Sequence, residues 1–375
     1  MINTIATSAI NIMALVILSR LVFGSNVLVS RRKRPFFFGI ILTIIVILAE
    51  VGTIVASNGG LAWRNLNLIS NVLGFMFTPF IPVVLLSIFE SKFLKAHLYL
   101  LLPALFNGIA AVLSPFFGLL FSIDSDNRYN RGSIFYLFVT VYMLHLLFLV
   151  VVSLRKARGH LYSIHWNMFG LTLFVVAGTF IQLIFPSVYS SWHSVTLTLF
   201  LFYLLLSEHD GRLDSLTGLY NRSAFEKDKG TLKRRKRYTV IVMDLNDFKI
   251  VNDTFGHEYG DAVLKKVATI IRESFDHACS SYRIGGDEFY VLCSGLNMEK
   301  VNGQLKSMTI RLTAERNHDC SLPTVAYGLS TSQTNMPDIQ AMLKEADTEM
   351  YHYKQQQKEK KRTDQERAFS LVGDE

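Results

Sequence analysis

The sequence predicts two structural parts: an all-α bundle of about seven membrane-spanning helices, and then a soluble α/β domain with a mainly antiparallel sheet. Half of the 375 residues are hydrophobic, and long apolar runs fill the chain only up to about residue 207. Beyond that point, charged residues become frequent and apolar residues become periodic, as in a soluble domain. The predicted parts are 1–207, 208–360 and a charged, disordered tail at 361–375.

The membrane part is predicted from seven stretches that provide the roughly 20 apolar residues a helix needs to cross a bilayer. They are 6–28, 36–57, 69–89, 97–122, 133–154, 167–187 and 192–207, of which the last is the shortest. Basic residues concentrate in the first, third and fifth connections, most densely at Arg31–Arg34. Because basic loops stay in the cytoplasm, we expect the N-terminus outside and the soluble domain in the cytoplasm.

Two ionisable residues, Arg20 and Glu50, lie inside predicted spans, where such groups are costly and often mark a site. The alternative for Arg20 is that its guanidinium extends to the cytoplasmic interface. The two residues differ in predicted depth by roughly 10 Å, which disfavours a direct ion pair. Asn107, His145 and Gln182 either line a polar pocket or bond a neighbouring helix. We therefore expect an unknown ligand or stimulus to act on this part.

The charge and the cysteines exclude two other classes of function. The net charge of +8 does not indicate nucleic-acid binding, because the basic residues lie in loops between spans and in the tail. Cys279, Cys293 and Cys320 lack CxxC spacing and are odd in number. We expect reduced, buried thiols rather than disulfides or a zinc site.

The soluble part alternates short β-rich runs with amphipathic stretches. A continuous apolar run from Tyr238 predicts a buried strand that ends at Asp244. The remaining predicted elements are a turn at 246–249, a helix at 261–275, strands at 281–284 and 289–293, a helix at 297–315, a strand at 322–330 and a helix at 337–355. This βαββαβ order predicts an α/β sandwich, and the paired Gly285 and Gly286 permit positive φ and close backbone approach at a strand-to-strand turn.

Two carboxylates are predicted to meet at one edge of this sheet. Asp244 ends one strand, and Asp287 lies between two others. Neighbouring carboxylates repel each other unless a cation lies between them, and hard oxygen ligands select Mg²⁺. On spacing alone, the alternative is an acidic turn beside a buried strand.

The soluble part resembles the GGDEF family of diguanylate cyclases, over residues 210–360. The resemblance rests on five motifs that follow one another in family order. They are Asp214–Arg222 (DSLTGLYNR), Asp244–Asp253 (DLNDFKIVND), Gly256-His257 with Gly260–Leu264, Gly285–Phe289 (GGDEF), and Ala346-Asp347 with Tyr351 and Lys354. It implies a nucleotide-cyclase-like fold and the condensation of two GTP molecules into cyclic di-GMP. It further implies a homodimer, because each of two facing protomers holds one GTP. Together with the predicted spans, it suggests a protein of the bacterial inner membrane.

The resemblance also implies roles for individual residues. Asp244, Asp287 and the Leu245 carbonyl would bind two Mg²⁺ ions, with Mn²⁺ as a substitute, and Glu288 would organise the attacking hydroxyl. The remaining implied residues bind substrate: Asn252 and Asp261 the guanine edge, Asp247, Phe248, Lys249, Lys354 and Lys358 the triphosphate, and Gly285 and Gly286 the approach of the second nucleotide. The carboxylate of Asp261 suits the paired N–H donors of guanine, which adenine lacks.

The sequence departs from the family pattern at three places. Residues 276–279 stand where many members carry an RxxD inhibitory motif, so no inhibitory site is expected. Lys358 replaces an Arg and supplies charge without a bidentate fork. Asn246 replaces the second Asp of a DxD motif.

Two alternatives to a membrane-bound cyclase stay open. The first is a catalytically silent receptor that binds GTP without turnover; the retained Asp244, Asp287 and Glu288 favour catalysis over it. The second is a transporter with an attached regulatory cyclase. Transporters commonly show internal repeats, and no clear repeat is present, although Pro79, Pro82, Pro103 and Pro115 can break the helices of spans three and four.

Overall fold

The structure, a computed structural model, describes residues 2–89, 97–158, 163–185, 188–230, 237–319, 321–332 and 338–372. It contains two compact units, Met1–Gly211 and Arg212–Glu375. Each unit has hydrophobic core clusters of its own.

Helices build the first unit. Those of the described residues are α1 (Ile2–Gly24), α2 (Ser30–Ser57), α3 (Arg64–Phe77), α4 (Phe80–Phe89), α5 (Leu102–Phe117), α6 (Phe135–Arg158), α7 (Ser163–Ile184) and α8 (Ser191–Asp210). Short 3₁₀ turns at Leu61–Trp63 and Leu98–Leu101 precede α3 and α5. An antiparallel hairpin of β1 (Phe121–Ile123) and β2 (Tyr129–Arg131) connects α5 to α6.

Several of these helices can cross a membrane. Five are long and apolar enough by length and composition: Ile2–Gly24, Ser30–Ser57, Leu98–Phe117, Phe135–Ala157 and Trp166–Ile184. A sixth candidate is the pair Leu61–Phe77 and Phe80–Ile88, which bends by 44°. The predicted span at 192–207 lies in α8, which is not among these candidates because polar side chains fill its first half and its last turn. Membrane insertion is thus supported, and the predicted number of seven spans is not confirmed.

Two predicted spans differ in shape from the expectation. The third is broken between α3 and α4, next to Pro79, because proline cannot donate the backbone hydrogen bond that a continuous helix requires. The fourth ends at Phe117 rather than at 122, since Gly118 adopts a left-handed conformation with φ +63° and the hairpin follows.

The second unit is an α/β domain. Its elements are β3 (Tyr220–Asn221), α9 (Arg222–Gly230), β4 (Tyr238–Leu245), α10 (Phe248–Phe255), α11 (His257–Ser274), β5 (Cys279–Arg283), β6 (Glu288–Ser294), α12 (Met298–His318), β7 (Val325–Thr331) and α13 (Ile339–Val372). The strand order in the sheet is β3-β5-β6-β4-β7. Only the short β3 pairs in parallel, and the other pairs are antiparallel, as predicted.

Strand β4, which lies between β6 and β7, is buried on both faces, and this explains its continuous apolar sequence. Its alternate residues Ile241, Met243 and Leu245 belong to a core that includes residues of α11 and α12. Val240 and Val242, between them, belong to a second core that includes residues of α13. The two helical layers therefore hold the end of β4 in a fixed position.

The prediction of reduced thiols is wrong for two of the three cysteines. Cys279 on β5 and Cys293 on β6 are directly opposite each other in the antiparallel register, and the structure joins them by a disulfide. Their spacing of 14 residues concealed this proximity, because only the hairpin register brings them together. Cys320 lies outside the described residues.

The predicted disordered tail also differs. The last helix, α13, continues to Val372 rather than ending near residue 355. Glutamine, lysine, glutamate and arginine fill this extension, and all are good helix formers. Residues 373–375 lie outside the described part of the chain.

Candidate active site

The end of β4 brings acidic residues from two segments together. Asp244 is paired in register with Glu288 on β6, and on the other side with Ala326 on β7. The backbone N–H of Leu245 donates a hydrogen bond of 3.3 Å to the carbonyl of Asp287. Asp244, Leu245, Asp287 and Glu288 therefore lie at one end of the sheet, where the sequence predicted two converging carboxylates.

The turn between β5 and β6 is held by Arg283, a residue that the sequence reasoning missed. Its guanidinium donates two hydrogen bonds to the carbonyl of Gly286, at 3.2 and 2.9 Å. It also forms an ion pair with Asp214 at 3.1 Å. A single arginine at the end of a β-rich run was the only sequence signal of this role. These contacts fix the turn that carries Asp287.

The two glycines of this turn use only part of the freedom that the sequence offered. Neither Gly285 nor Gly286 has a positive φ. A Cβ atom at Gly285 would lie 3.0 Å from Glu288 Oε2, and one at Gly286 would meet nothing within 4 Å. Gly285 therefore allows the close approach of the Glu288 side chain, whose carboxylate would have to shift to admit a larger residue.

The electrostatics of the acidic pair depend on Lys354. Burial, and secondly the negative charge of Asp244, raise the pKa of Asp287 above its usual range. Lys354 on α13 places its ammonium 2.5 Å from Asp244 Oδ1. The Asp244 and Lys354 side chains are 15% and 26% exposed, so water screens this pair only in part. Lys354 and Arg283 thus offset only part of the repulsion between the two carboxylates.

These residues fit a divalent cation that also binds a substrate. Two repelling carboxylates and the Leu245 carbonyl supply hard oxygen ligands of the kind Mg²⁺ prefers. Within the described ranges, no three His, Cys, Asp or Glu side chains cluster as a complete metal site. The protein would therefore supply part of the coordination, and phosphate oxygens and water would supply the rest.

The turn after β4 leads into a helix. Asp247 adopts a left-handed conformation with φ +57°, and α10 begins at Phe248. The first N–H groups of a helix lack intrahelical partners and favour anions. Lys249 is exposed in this first turn, whereas the Phe248 side chain is buried and anchors the helix in the core. This arrangement has backbone N–H groups and a positive charge, which are compatible with the triphosphate binding that the family resemblance implies.

A third group lies between α10 and α11. Gly260 approaches Asn252 so closely that a Cβ atom at residue 260 would collide with Asn252 Oδ1. Asp261 follows Gly260 directly and is exposed. The glycine therefore lets the Asn252 amide of α10 approach the start of α11, one residue before Asp261.

The last helix also contacts the turn after β4. Asn246 Nδ2 donates hydrogen bonds to Gln357 Oε1 at 2.6 Å and to Thr324 Oγ1 at 2.9 Å. Lys358 belongs to α13, and its side chain lies outside the described part of the structure. Asn246 thus links α13, which carries Lys354, to the end of β4.

The Asp287→Asn substitution is expected to stabilise the domain in the absence of divalent cations. Because the pKa of Asp287 is higher in the folded than in the unfolded state, the protonated carboxyl group favours folding. This contribution to stability is full at pH values below the ordinary aspartate pKa. It is lost as pH rises through the pKa of the folded state, where Asp287 becomes ionised. We expect the melting temperature of the solubilised chain in EDTA to rise by about 2 °C at pH 7, with a gain that shrinks towards pH 4. Asp253→Asn, at an exposed carboxylate of α10, is the control; an equal gain there would contradict the explanation.

Known proteins resemble the second unit of this chain. Residues 212–360 match the family model described as diguanylate cyclase, GGDEF domain. Probable diguanylate cyclase DgcT of Escherichia coli is 30% identical over 161 residues, which cover 40% of this chain and 35% of that protein. Cyclic di-GMP phosphodiesterase PdeR of Escherichia coli is 32% identical over 152 residues, which cover 38% of this chain and 22% of that protein. The chain thus spans about a third or less of these curated relatives' length.

A solved structure matches a similar share of this chain. The GGDEF domain of DgcB from Caulobacter crescentus, in complex with c-di-GMP, is 25% identical, with a TM-score of 0.34 over 38% of this chain and 90% of that one. The family model matches the same half of the chain in which the acidic residues meet at the end of the sheet. The C-terminal part of this chain, residues 212–360, is a GGDEF domain with relatives among the diguanylate cyclases.

Proposed function

We propose that this protein is a membrane-bound diguanylate cyclase that condenses two GTP molecules into cyclic di-GMP and two pyrophosphates. The observation that carries this proposal is the pair of Asp244 and Asp287 at the end of β4, inside a GGDEF domain whose acidic signature is intact. The raised pKa of Asp287 indicates a site that gains from a bound cation.

The residues of the site have different roles in binding and positioning the substrate. At the guanine edge, the Asp261 carboxylate accepts hydrogen bonds, and the Asn252 amide both accepts and donates them. Backbone N–H groups at Asp247 and Phe248, with Lys249, Lys354 and Lys358, hold the triphosphate. Asp244, Asp287 and the Leu245 carbonyl hold Mg²⁺, which when bound lowers the pKa of the attacking 3′-hydroxyl and neutralises the leaving pyrophosphate. Glu288 orients the hydroxyl from its position opposite Asp244.

Catalysis in this proposal needs two copies of the chain. One site holds one GTP, and each 3′-oxygen must attack the α-phosphate of the nucleotide in a facing site. A homodimer is thus required, and the helices of the first unit would set the distance between the two cyclase domains. The domain would lie in the cytoplasm of a bacterial cell, beneath the inner membrane.

The experiment compares turnover with binding in membranes that contain the intact protein. The membranes receive Mg²⁺ with GTP or with ATP, and cyclic dinucleotides are quantified by mass spectrometry. We expect cyclic di-GMP from GTP and no cyclic product from ATP. GTP binding without any product would favour the silent receptor, for which the replacement of Arg by Lys358 in the phosphate site is the supporting observation.

The Gly260→Ala substitution is expected to weaken selection of guanine. The added methyl group would displace Asn252, because no room exists between its amide oxygen and residue 260. We expect KM for GTP to rise about tenfold, while the kcat falls less, since the metal residues are untouched. Gly303→Ala, on α12 with open space around it, is the matched control. A rise of KM equal in both variants would contradict the assignment.

A further inference from the structure

A cavity in the first unit has the features of a ligand site. It has a volume of about 210 Å³ and lies between α2, α3, α6 and α8. Its lining includes Glu50 and Thr53 from α2, Asn71 from α3, Phe138 from α6 and Trp192 from α8. Residues of four helices thus surround an open cavity with a carboxyl group, in a part of the chain where apolar residues dominate the sequence.

Glu50 has only neutral hydrogen-bond partners. Gln182 Nε2 donates to its Oε1 at 3.3 Å, and the indole of Trp192 donates a second hydrogen bond. Within the part of the chain that the structure describes, no Lys, Arg or His forms an ion pair with it. A carboxylate in a helical bundle is costly without a cation, so this side chain lacks the partner that its charge requires.

The other polar groups of the cavity include oxygen acceptors and hydroxyl groups. The Asn71 amide uses its N–H donors on Asn67, at 2.9 Å to both the backbone and the side-chain oxygen, and its own Oδ1 accepts no hydrogen bond from any described residue. The Thr53 hydroxyl donates to the Ala49 carbonyl and can accept further hydrogen bonds. The hydroxyl groups of Ser70 and Thr78, which also line the cavity, can donate or accept. The cavity therefore offers several oxygen acceptors beside Glu50 to a ligand that carries donors.

The size and the aromatic lining select among possible cations. A volume of about 210 Å³ holds roughly seven water molecules, so the cavity is too large for a single bare metal ion. Phe75, Phe138 and Trp192 present aromatic rings, which attract organic cations and provide an apolar surface. An ammonium ion supplies up to three N–H donors and a positive charge on an apolar body.

We infer that this cavity binds a small organic ammonium ion, with the ammonium paired to Glu50 and the apolar body against Phe75, Phe138 and Trp192. The same chemistry has two sources, a free amine or the ethanolamine headgroup of a lipid. This inference concerns the first unit alone and holds whether or not the GGDEF domain turns over GTP.

The test uses the fluorescence of Trp192 in the full chain. Trp63 and Trp166 are 44% and 48% exposed, so their replacement by Phe leaves Trp192 as the single reporter. The protein is reconstituted in vesicles of phosphatidylglycerol, a lipid without an ammonium group. It is titrated with phenethylammonium and with 2-phenylethanol, which has similar size and no charge. We expect a saturable change with phenethylammonium.

Variants of residue 50 test whether the negative charge of Glu50 is needed for binding. Glu50→Gln keeps the shape and hydrogen-bonding capacity of the side chain, and we expect it to weaken phenethylammonium binding at least tenfold. Glu50→Asp should retain part of the affinity. Binding of 2-phenylethanol should be equally weak in all three proteins, which shows that the cavity stays intact. Glu208→Gln, outside the cavity on α8, is the control.

Two results would overturn the inference, and a further titration distinguishes the two sources of the ammonium ion. No saturable signal up to about 10 mM phenethylammonium, or equal affinity in Glu50→Gln, would overturn it. With the site established, the titration is repeated in vesicles that contain phosphatidylethanolamine. A lower apparent affinity there identifies the lipid headgroup as an occupant, and an unchanged affinity identifies a free amine.

Discussion

Replacing Asp287 or Asp244 by Asn is expected to lower the rate of cyclic di-GMP formation by at least about 1,000-fold. Each substitution preserves the shape of the side chain and removes one negative charge from the end of β4. The loss follows from the composition of the site, because the described residues offer no third clustered carboxylate to replace the missing ligand. The measurement is the initial rate of product formation in membranes with matched amounts of each variant.

The matched control for this prediction is Asp253→Asn, which changes an exposed carboxylate only one helix away. It should retain the rate of the unmodified protein. Because Asp287→Asn is expected to raise the melting temperature in EDTA, an inactive variant can be separated from an unfolded one. A loss of less than about tenfold in both active-site variants would contradict the proposed metal site.

Replacing Lys354 by Met is the prediction with the second largest expected effect. The ammonium lies 2.5 Å from Asp244 and forms an ion pair with it. Its removal leaves Asp244 without this ion pair and takes one positive charge from the triphosphate. We expect kcat/KM for GTP to fall about 100-fold, mainly through KM.

Lys354→Arg tests whether charge alone is enough. It keeps the charge with a different geometry, so a partial recovery is expected. The control is Lys344→Met, which removes an exposed lysine from the same helix. If Lys344→Met and Lys354→Met lower kcat/KM equally, Lys354 acts through the general charge of α13, and its assigned place in the site is wrong.

Much of the second unit could be predicted from the sequence because its signals are local. The apolar run before Asp244 predicted a strand buried on both faces, and β4 lies inside the sheet between β6 and β7. The periodic residues around Val263 and Val267 predicted the amphipathic helix α11. The converging carboxylates followed from the same reasoning, since a residue at the end of a strand lies at the edge of its sheet.

Contacts between distant segments could not be predicted in the same way. The ion pair of Arg283 with Asp214 joins residues 69 apart in sequence, and that of Lys354 with Asp244 joins residues 110 apart. Cys279 and Cys293 lie opposite each other only in the observed strand register, and a shift of one residue would separate them. In the first unit, hydropathy predicted the apolar helices but not the break beside Pro79 or the hairpin after Gly118, which depend on backbone conformation.

The most direct test of the proposed function is a joint measurement of both products in one sample. Membranes with the intact protein receive GTP and Mg²⁺, and pyrophosphate and cyclic di-GMP are quantified together, with Asp287→Asn as the blank. A cyclase predicts two pyrophosphates for every cyclic di-GMP, and neither product above background in the variant. Stoichiometric GTP binding without either product, from a protein shown to be dimeric, would contradict the enzymatic function and leave a GTP-binding receptor.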